Sequence, residues 1–536
     1  MAWNQQESRR RVCEHLGEIT DIEVAPLVRE ADLDELLTER VCRQIYGVHL
    51  YAHPSEFSGL ADLSIKSDLE IEKYRQVVRA VHIYQREISH IVETIFDAVR
   101  VHFQGVRLHS LIYRPIRDEK SIARRAFLHM LVLDDFVRHV YNPAFESLPN
   151  VKLMAGASQG EVIGTRNGGT HKSAKNDREL LFLGSPANHA AKILSPGLLR
   201  ITETIHQHLT PEMKAVCVAD GIGVYRVSEF AASYLTKWLR DENIDWSRTE
   251  SARRVEVDKK RWPLADIKYS EAQTKIDFDS LGITNNKRVR TVTLYGDVTG
   301  FTAYIDSMRT QADRQEAIRL FHVIRREMAR IVRDDYEGVR VQFQGDRVQA
   351  IFHVPADDFG TFVLESVMCA GALQASLETV IKSLFPSASS LNLAVGCDLG
   401  QITASNLGTR GHRDRICLGR SVEAAAAREE LLDGGQTGIS TEMYELLPVA
   451  LKRIFNFDDT KRCYVARNHT VGELKRLIEA EQWKVGNQAI ITSGANGIGV
   501  KPVGATAAAA VAGAGRVAVA SSSYAPSAID SKEESR

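Results

Sequence analysis

The sequence predicts an α+β protein made of two tandem copies of one domain, and three observations carry that prediction. Strand-like and helix-like segments alternate through both halves. Short strings of the first half return in the second in the same order, at a nearly constant offset. Val101-His102-Phe103-Gln104-Gly105-Val106-Arg107-Leu108 comes back as Val341-Gln342-Phe343-Gln344-Gly345-Asp346-Arg347-Val348, 345 − 105 = 240 positions later. His82-Ile83-Tyr84-Gln85-Arg86-Glu87 returns at that offset as His322-Val323-Ile324-Arg325-Arg326-Glu327, and Gly156 and Gly160 match Gly396 and Gly400. Leu183-Gly184-Ser185 matches Leu418-Gly419-Arg420 at 418 − 183 = 235. Units this long that mix strands with helices are duplicated globular domains and not a solenoid, which needs short units in series.

In order along the chain, residues 1–45 space Val24, Leu27, Val28, Leu33, Leu36 and Leu37 as short helices do, giving an N-terminal helical segment. The first domain, 46–235, has a strand near Val48–Tyr51 and a helix over about 68–98, with Ile71, Tyr74, Val78, Val81, Ile88, Ile91 and Ile95 on one face. A strand pair over Val101–Tyr113, a helix around 120–142, a strand over Val151–Gly164 and a helix from Asn188 follow. Residues 236–287 are dense in charge (Lys237, Asp241, Arg253, Arg254, Lys259, Lys260, Arg261) and read as a linker with one helix. The second domain is 288–470. Beyond it a short helix over Val471–Trp483 gives way to an Ala/Gly/Ser-rich tail expected to be disordered.

Length and composition set bounds. The 536 residues, 44% hydrophobic and 26% charged, suit two to four soluble domains, and a net charge of −1 supplies no field for nucleic acid or an anionic membrane. The seven cysteines, at 13, 42, 217, 369, 397, 417 and 463, form no CxxC pair and no zinc spacing, which suits a reducing cytoplasm. No apolar leader or membrane-length run is present; the Ala/Gly/Val-rich stretch at 503–520 comes nearest.

The chemistry concentrates in Leu294-Tyr295-Gly296-Asp297-Val298-Thr299-Gly300-Phe301-Thr302 and in Phe343-Gln344-Gly345-Asp346-Arg347. The first reads as a strand ending on Asp297, then a turn into a helix whose amides can face a phosphate. Two carboxylates on neighbouring strand ends suit a hard divalent cation. Singly, Asp297 also reads as a helix cap and Asp346 as a polar turn residue.

These strings resemble the class III nucleotide cyclases, whose signatures are an Asp-hydrophobic-x-Gly-Phe turn, a Gly-Asp hairpin and a late helix start with asparagine and arginine one turn apart. The resemblance spans both repeats. It implies two ferredoxin-like, palm-type domains in an intramolecular pseudo-dimer and cyclisation of a nucleoside triphosphate with two Mn²⁺ or Mg²⁺ ions. Asp297, the Val298 backbone and Asp346 would hold the metals, and Gly300 and Phe301 the phosphates.

The third signature differs between the copies. The first repeat keeps Asn188 and has Lys192 at the arginine position; the second has Glu423 and Ala427 there. The first repeat has Asp62 in register with Asp297 but Val106 in register with Asp346. The resemblance therefore implies one composite centre, with metal ligands from the second domain and catalytic Asn188 and Lys192 from the first. Register against purine cyclases places the base-reading positions at Arg100 and Leu181. Arginine can donate to a carbonyl-rich pyrimidine edge, while leucine cannot accept from an adenine amino group.

This is similar to the pyrimidine cyclases of the bacterial Pycsar anti-phage system. It implies a cytoplasmic enzyme that makes a cyclic pyrimidine nucleotide, UTP being the favoured substrate, for a cyclic-nucleotide-responsive effector. The implied enzyme has no membrane or nucleic-acid partner. An adenylate or guanylate cyclase, or a catalytically dead nucleotide-binding pseudo-cyclase, stay open at this point.

Overall fold

A computed structural model describes residues 3–31, 33, 36–55, 68–166, 179–409 and 411–480. Among the described residues each repeat forms a nine-stranded sheet. The first contains β1 (Glu23–Pro26), β2 (Val41–Ser55), β3 (Val99–Gln104), β4 (Arg107–Ile112), β5 (Lys152–Arg166), β6 (Leu180–Leu183), β7 (Leu199–Thr202), β8 (Cys217–Ala219) and β9 (Val224–Val227). Its order is β3-β4-β2-β5-β7-β9-β8, with β1 added to β2 and β6 to β5. The second contains β10 (Tyr269–Glu271), β11 (Asn286–Thr299), β12 (Val339–Gln344), β13 (Arg347–Phe352), β14 (Asn392–Thr409), β15 (His412–Leu418), β16 (Gln436–Ile439), β17 (Asn456–Asp458) and β18 (Cys463–Arg467). It repeats the topology as β12-β13-β11-β14-β16-β18-β17, with β10 on β11 and β15 on β14. The expected duplication of an α+β domain is thus seen strand for strand.

The helices follow their sequence signals. The apolar face read over 68–98 forms the helix Asp68–His90, and Glu119–Phe136 starts on an Asp118 cap. In the second repeat Gln311–Arg330 begins with a Thr310/Asp313 capping box, and Phe359–Ser376 is capped by Asp358. The 26-residue helical stretch Phe359–Leu384 is long and apolar enough to cross a membrane, but 78% of its window is buried inside the protein.

Neither core closes alone. Leu407 and Ile416 of the second repeat are buried in the first core, and Ile163, Leu181 and Leu183 of the first are buried in the second. Burying such side chains is worth about 1.5–3 kcal/mol each, so the repeats hold one another in place.

The segments before each domain are more than the helical lead-in and linker that the sequence suggests. Residues 1–45 hold the helix Gln5–Glu18 and strand β1; residues 236–287 hold Arg248–Arg261 and strand β10, and Ala231–Asp241 runs across the expected boundary at 235. The two are equivalent arms, and they cross. Arg11 and Ser8 of the first arm meet Glu327 of the second repeat at 2.6 and 2.8 Å. Arg254 and Ser251 of the second arm both meet Glu87 of the first repeat at 2.7 Å. The match is residue for residue, with 254 − 11 = 251 − 8 = 243 and 327 − 87 = 240. Charge hid this arm in the sequence, because on Arg248–Arg261 only Ser251 and Val255 are buried, four residues apart on one face. The tail expected to be disordered, and the last residues of the helix expected over Val471–Trp483, lie outside the described residues; 471–480 is helical.

The crossed arms are testable. Glu327→Ala leaves the Arg11 guanidinium, itself 8% exposed, with Asp335 as its remaining carboxylate, and should cost about 1–3 kcal/mol in urea unfolding. Glu87→Ala should also cost about 1–3 kcal/mol, because it takes the partner of the buried Ser251 hydroxyl as well as that of the partly exposed Arg254. Midpoints unchanged in both variants would mean that the arms carry no load.

Candidate active site

Strand β11 ends the second repeat's longest ladder, which runs Lys287↔Ala404 to Thr299↔Asn392 with β14. That ladder fixes Asp297 near the strand end. Gly300 then takes a left-handed conformation (φ 89°) and starts the short helix Phe301–Asp306. Phe301 is buried and stacks on Phe321 with ring centroids 5.5 Å apart, so the turn is anchored. Asp346 sits in the two-residue turn between β12 and β13, where Gln344 pairs with Arg347 and Gly345 supplies φ 71°. Since β13 is the neighbour of β11, both aspartates share one corner of the sheet.

Burial raises both carboxyls, Asp346 well above the usual carboxylate range, with the charge of Asp297 adding to it. Burial likewise pushes Glu429 up to about 8. Arg347 opposes this for Asp297 and Glu429. Its guanidinium pairs with Glu429 at 2.6 Å, donates to the Ala426 carbonyl at 3.0 Å and lies 4.4 Å over the Tyr295 ring. A buried, mutually repelling carboxylate pair is short of positive charge, which is what a divalent cation supplies. Among the described residues no three His, Cys, Asp or Glu side chains converge as a closed metal cage. This donor set suits Mg²⁺ or Mn²⁺ completed by water and phosphate oxygens.

The first repeat brings its share across the domain boundary. Asn188, on the helix Ser185–Lys192, donates from Nδ2 to Thr302 Oγ1, in the turn that follows Asp297. One cleft is lined by Asn188, Leu181 and Gly184 from the first domain and by Phe301, Thr302, Gln344 and Asp346 from the second. The structure thus brings together Asn188, Asp297, Asp346 and the Gly300-Phe301 turn. Val298 is buried in β11, and its amide donates to the Asp297 carboxylate. Lys192 is exposed one turn beyond Asn188 and does not line the cleft.

Two expectations are corrected. Arg100 is not in the cleft; its guanidinium pairs with Asp414 at 2.5 Å and donates to the His412 carbonyl at 2.7 Å. A bulge between Arg100 and His102 changes which side chains of β3 face which way. Asp62 lies outside the described residues, and strand register puts another residue opposite Asp297. Tyr51 pairs with Gly156 as Tyr295 pairs with Gly396, so the counterpart of Asp297 is His53.

His102 and His109, cross-strand partners on β3 and β4, line the cleft with Tyr51, and the sequence reading did not single them out. Tyr51 stacks on His109 at 4.3 Å, and His109 Nε2 lies 2.9 Å from His49 Nδ1. The Gln104 amide lies 2.9 Å from His102 Nε2, which leaves the Nδ1 proton of His102 for other partners. Burial pushes His102 down to about 4 and His109 well below 6.5, so both are neutral at neutral pH. The repeat was the available signal, because the second copy has Gln342 and Gln349 at these places, where the Gln342 amide donates to Gln349 at 3.1 Å.

No family model matches the chain. It is 30% identical over 474 residues to a uridylate cyclase of Pseudomonas aeruginosa, covering 85% of this chain and 88% of that one. It is 26% identical over 439 residues to a uridylate cyclase of a Rhizobium species, covering 77% and 80%. The crystal structure of a class III adenylyl cyclase-like ATP-binding protein from Pseudomonas aeruginosa superposes with a TM-score of 0.75 at 27% identity, over 89% of this chain and all of that one. The class III cyclase-like fold expected from the motifs is therefore borne out, with two tandem domains.

The buried histidines give a pH prediction. An unfolded chain takes up protons on them below about 6.5 while the folded chain does not, so stability falls as pH drops from about 6.5 towards 4. The buried aspartates carry the opposite sign in the carboxylate range, so the comparison must be between variants. His102→Gln, which copies Gln342, should flatten the slope of urea midpoint against pH. An identical slope would show that His102 is not held neutral.

Proposed function

Because the chain belongs to the uridylate cyclase family and is a nucleotide cyclase, we propose that it converts UTP to 3′,5′-cyclic UMP and pyrophosphate at the single composite centre described above. The observation that carries this reading is the meeting of Asn188 with Thr302 beside Asp297 and Asp346. It joins two half-sites, each lacking what the other has.

In the proposed reaction the ribose 3′-oxygen attacks the α-phosphorus in line, the bond to the bridging oxygen breaks, and the hydroxyl proton leaves to solvent with pyrophosphate. Two Mg²⁺ or Mn²⁺ ions, held by Asp297, Asp346 and the Val298 backbone, would acidify the hydroxyl and neutralise the leaving group. The backbone at Gly300-Phe301 binds the β- and γ-phosphates. Asn188 orients the ribose. Lys192, on its flexible stem, folds back to supply positive charge as the phosphorane develops. As a point charge it lacks the fork of arginine.

The cleft wall supports a pyrimidine. Leu181 offers no polar side-chain atom, the neutral His102 can donate from Nδ1 to a pyrimidine carbonyl, and among the described residues no carboxylate from the first domain lines the cleft to accept from an adenine amino group. His102 replaces Arg100 as the proposed base reader. The product acts as a second messenger for a cyclic-nucleotide-responsive effector in anti-phage defence. A second reading, a cyclase that takes ATP, draws on the name of the superposing structure, which is an ATP-binding protein.

Incubation with each of the four ribonucleoside triphosphates and Mn²⁺, with products resolved, tests this. UTP should be turned over at least about tenfold faster than ATP or GTP, and Asn188→Ala should lower kcat about 10²-fold. Asp346→Asn should abolish product. Preference for ATP, or no conversion of any triphosphate, would overturn the proposal.

A further inference from the structure

Arg325 is a charged side chain with 0% exposure, in the middle of the helix Gln311–Arg330. Burying a guanidinium is costly unless it is paired and hydrogen-bonded. Arg325 is both, and its two partners come from different domains. Nη1 donates to the carbonyl of Gly345, the residue before Asp346, and Nη2 pairs with Glu179 of the first domain. The guanidinium lies 4.1 Å over the Phe343 ring, which fixes its plane. Glu179 also accepts from Arg340 at 2.8 Å, and it directly precedes β6, the strand that carries Leu181 into the cleft.

The second copy of this arrangement shows what is special here. The counterpart of Glu179 is Asp414 (414 − 179 = 235), and it pairs with Arg100, the counterpart of Arg340 (340 − 100 = 240). The outer acid–arginine pair therefore occurs twice. The inner arginine does not. Its counterpart is Gln85 (325 − 85 = 240), whose amide donates to the Gly105 carbonyl at 2.7 Å. A neutral amide is enough to hold the turn at Gly105-Val106. The buried charge occurs only behind the turn that carries Asp346, and only there does the turn's anchor reach the other domain.

We propose that Arg325 is a positioning residue that ties the Gly345-Asp346 turn to Glu179, so that Asp346 takes its metal-binding geometry only when the first domain's cleft wall is docked. This rests on the reading of Asp346 as a metal ligand. Misplacement of such a group by about 1 Å is enough to cost orders of magnitude in rate.

The test uses the full chain with Arg325→Gln, which copies Gln85, with Glu179→Gln, and with the double variant. Mn²⁺ binding is read by the electron paramagnetic resonance of free Mn²⁺, apart from activity, and kcat and KM for UTP are measured at saturating Mn²⁺. Each single variant should weaken Mn²⁺ binding about tenfold or more and lower kcat by at least as much, with KM changed less than about threefold. The double variant should be no worse than the worse single, because the two residues act through one link. Should Arg325→Gln not melt cooperatively, Glu179→Gln, at a half-buried position, carries the test. Mn²⁺ affinity and kcat within about twofold of the parent in both singles, whatever the melting temperature, would overturn the proposal and leave Arg325 a structural ion pair. Asp346→Asn, run alongside, separates the two readings. If it leaves Mn²⁺ binding intact, the metal-site reading itself fails; if it abolishes binding while Arg325→Gln and Glu179→Gln do not weaken it, only the positioning role fails.

Discussion

The structure depends on the fact that neither repeat can close its own core. Leu407 and Ile416 complete the first core, Ile163, Leu181 and Leu183 complete the second, and the arms preceding each domain cross to clasp the other through Arg11–Glu327 and Arg254–Glu87. A site at such a boundary is only as rigid as the boundary. Interlocked apolar side chains and buried ion pairs with two partners each leave little freedom for the halves to slide. Asn188 can therefore be presented to Thr302 by a helix that starts only three residues earlier, at Ser185.

On this frame the two sides of the pseudo-dimer have diverged in charge more than in shape. The same hairpin turn is built twice, with Gly105 and Gly345 both left-handed, but one turn carries Val106 and the other Asp346. His53 stands where the second repeat has Asp297. Around the surviving aspartates the second repeat adds Arg347 and Glu429, while Leu194 stands at the place of Glu429 in the first (429 − 235 = 194). The carboxylate cluster is held by few cations of its own, and its raised carboxyls show the electrostatic cost of keeping it buried. Local conflicts of this kind are common at functional sites.

Much of this was legible in the sequence, for an identifiable reason. Duplication turns weak signals into strong ones: Asp346 and Asn188 stood out because each had a counterpart that differed, Val106 and Glu423, while Asp297 was read from its own Asp-Val-Thr-Gly-Phe string. Counting residues failed where the backbone is irregular. The bulge after Arg100 moved the cleft-facing position to His102, and a longer offset along β2, 295 − 51 = 244, moved the counterpart of Asp297 away from Asp62. The crossed arms were invisible because their buried faces are narrow and mostly polar, Ser8, Arg11, Val12 and His15 on one helix and Ser251 and Val255 on the other. Arg325 was written in the repeat as a Gln-to-Arg difference, but only the fold shows that its second partner, Glu179, comes from the other domain.

The proposed centre is made from both repeats and occurs once per chain. Calorimetric titration of the intact protein with a non-cyclisable UTP analogue in saturating Mn²⁺ measures this directly, through the number of sites. About one nucleotide per chain is expected, with Asp346→Asn abolishing that binding event. Two equivalent nucleotides per chain, or one that survives Asp346→Asn unchanged, would contradict it.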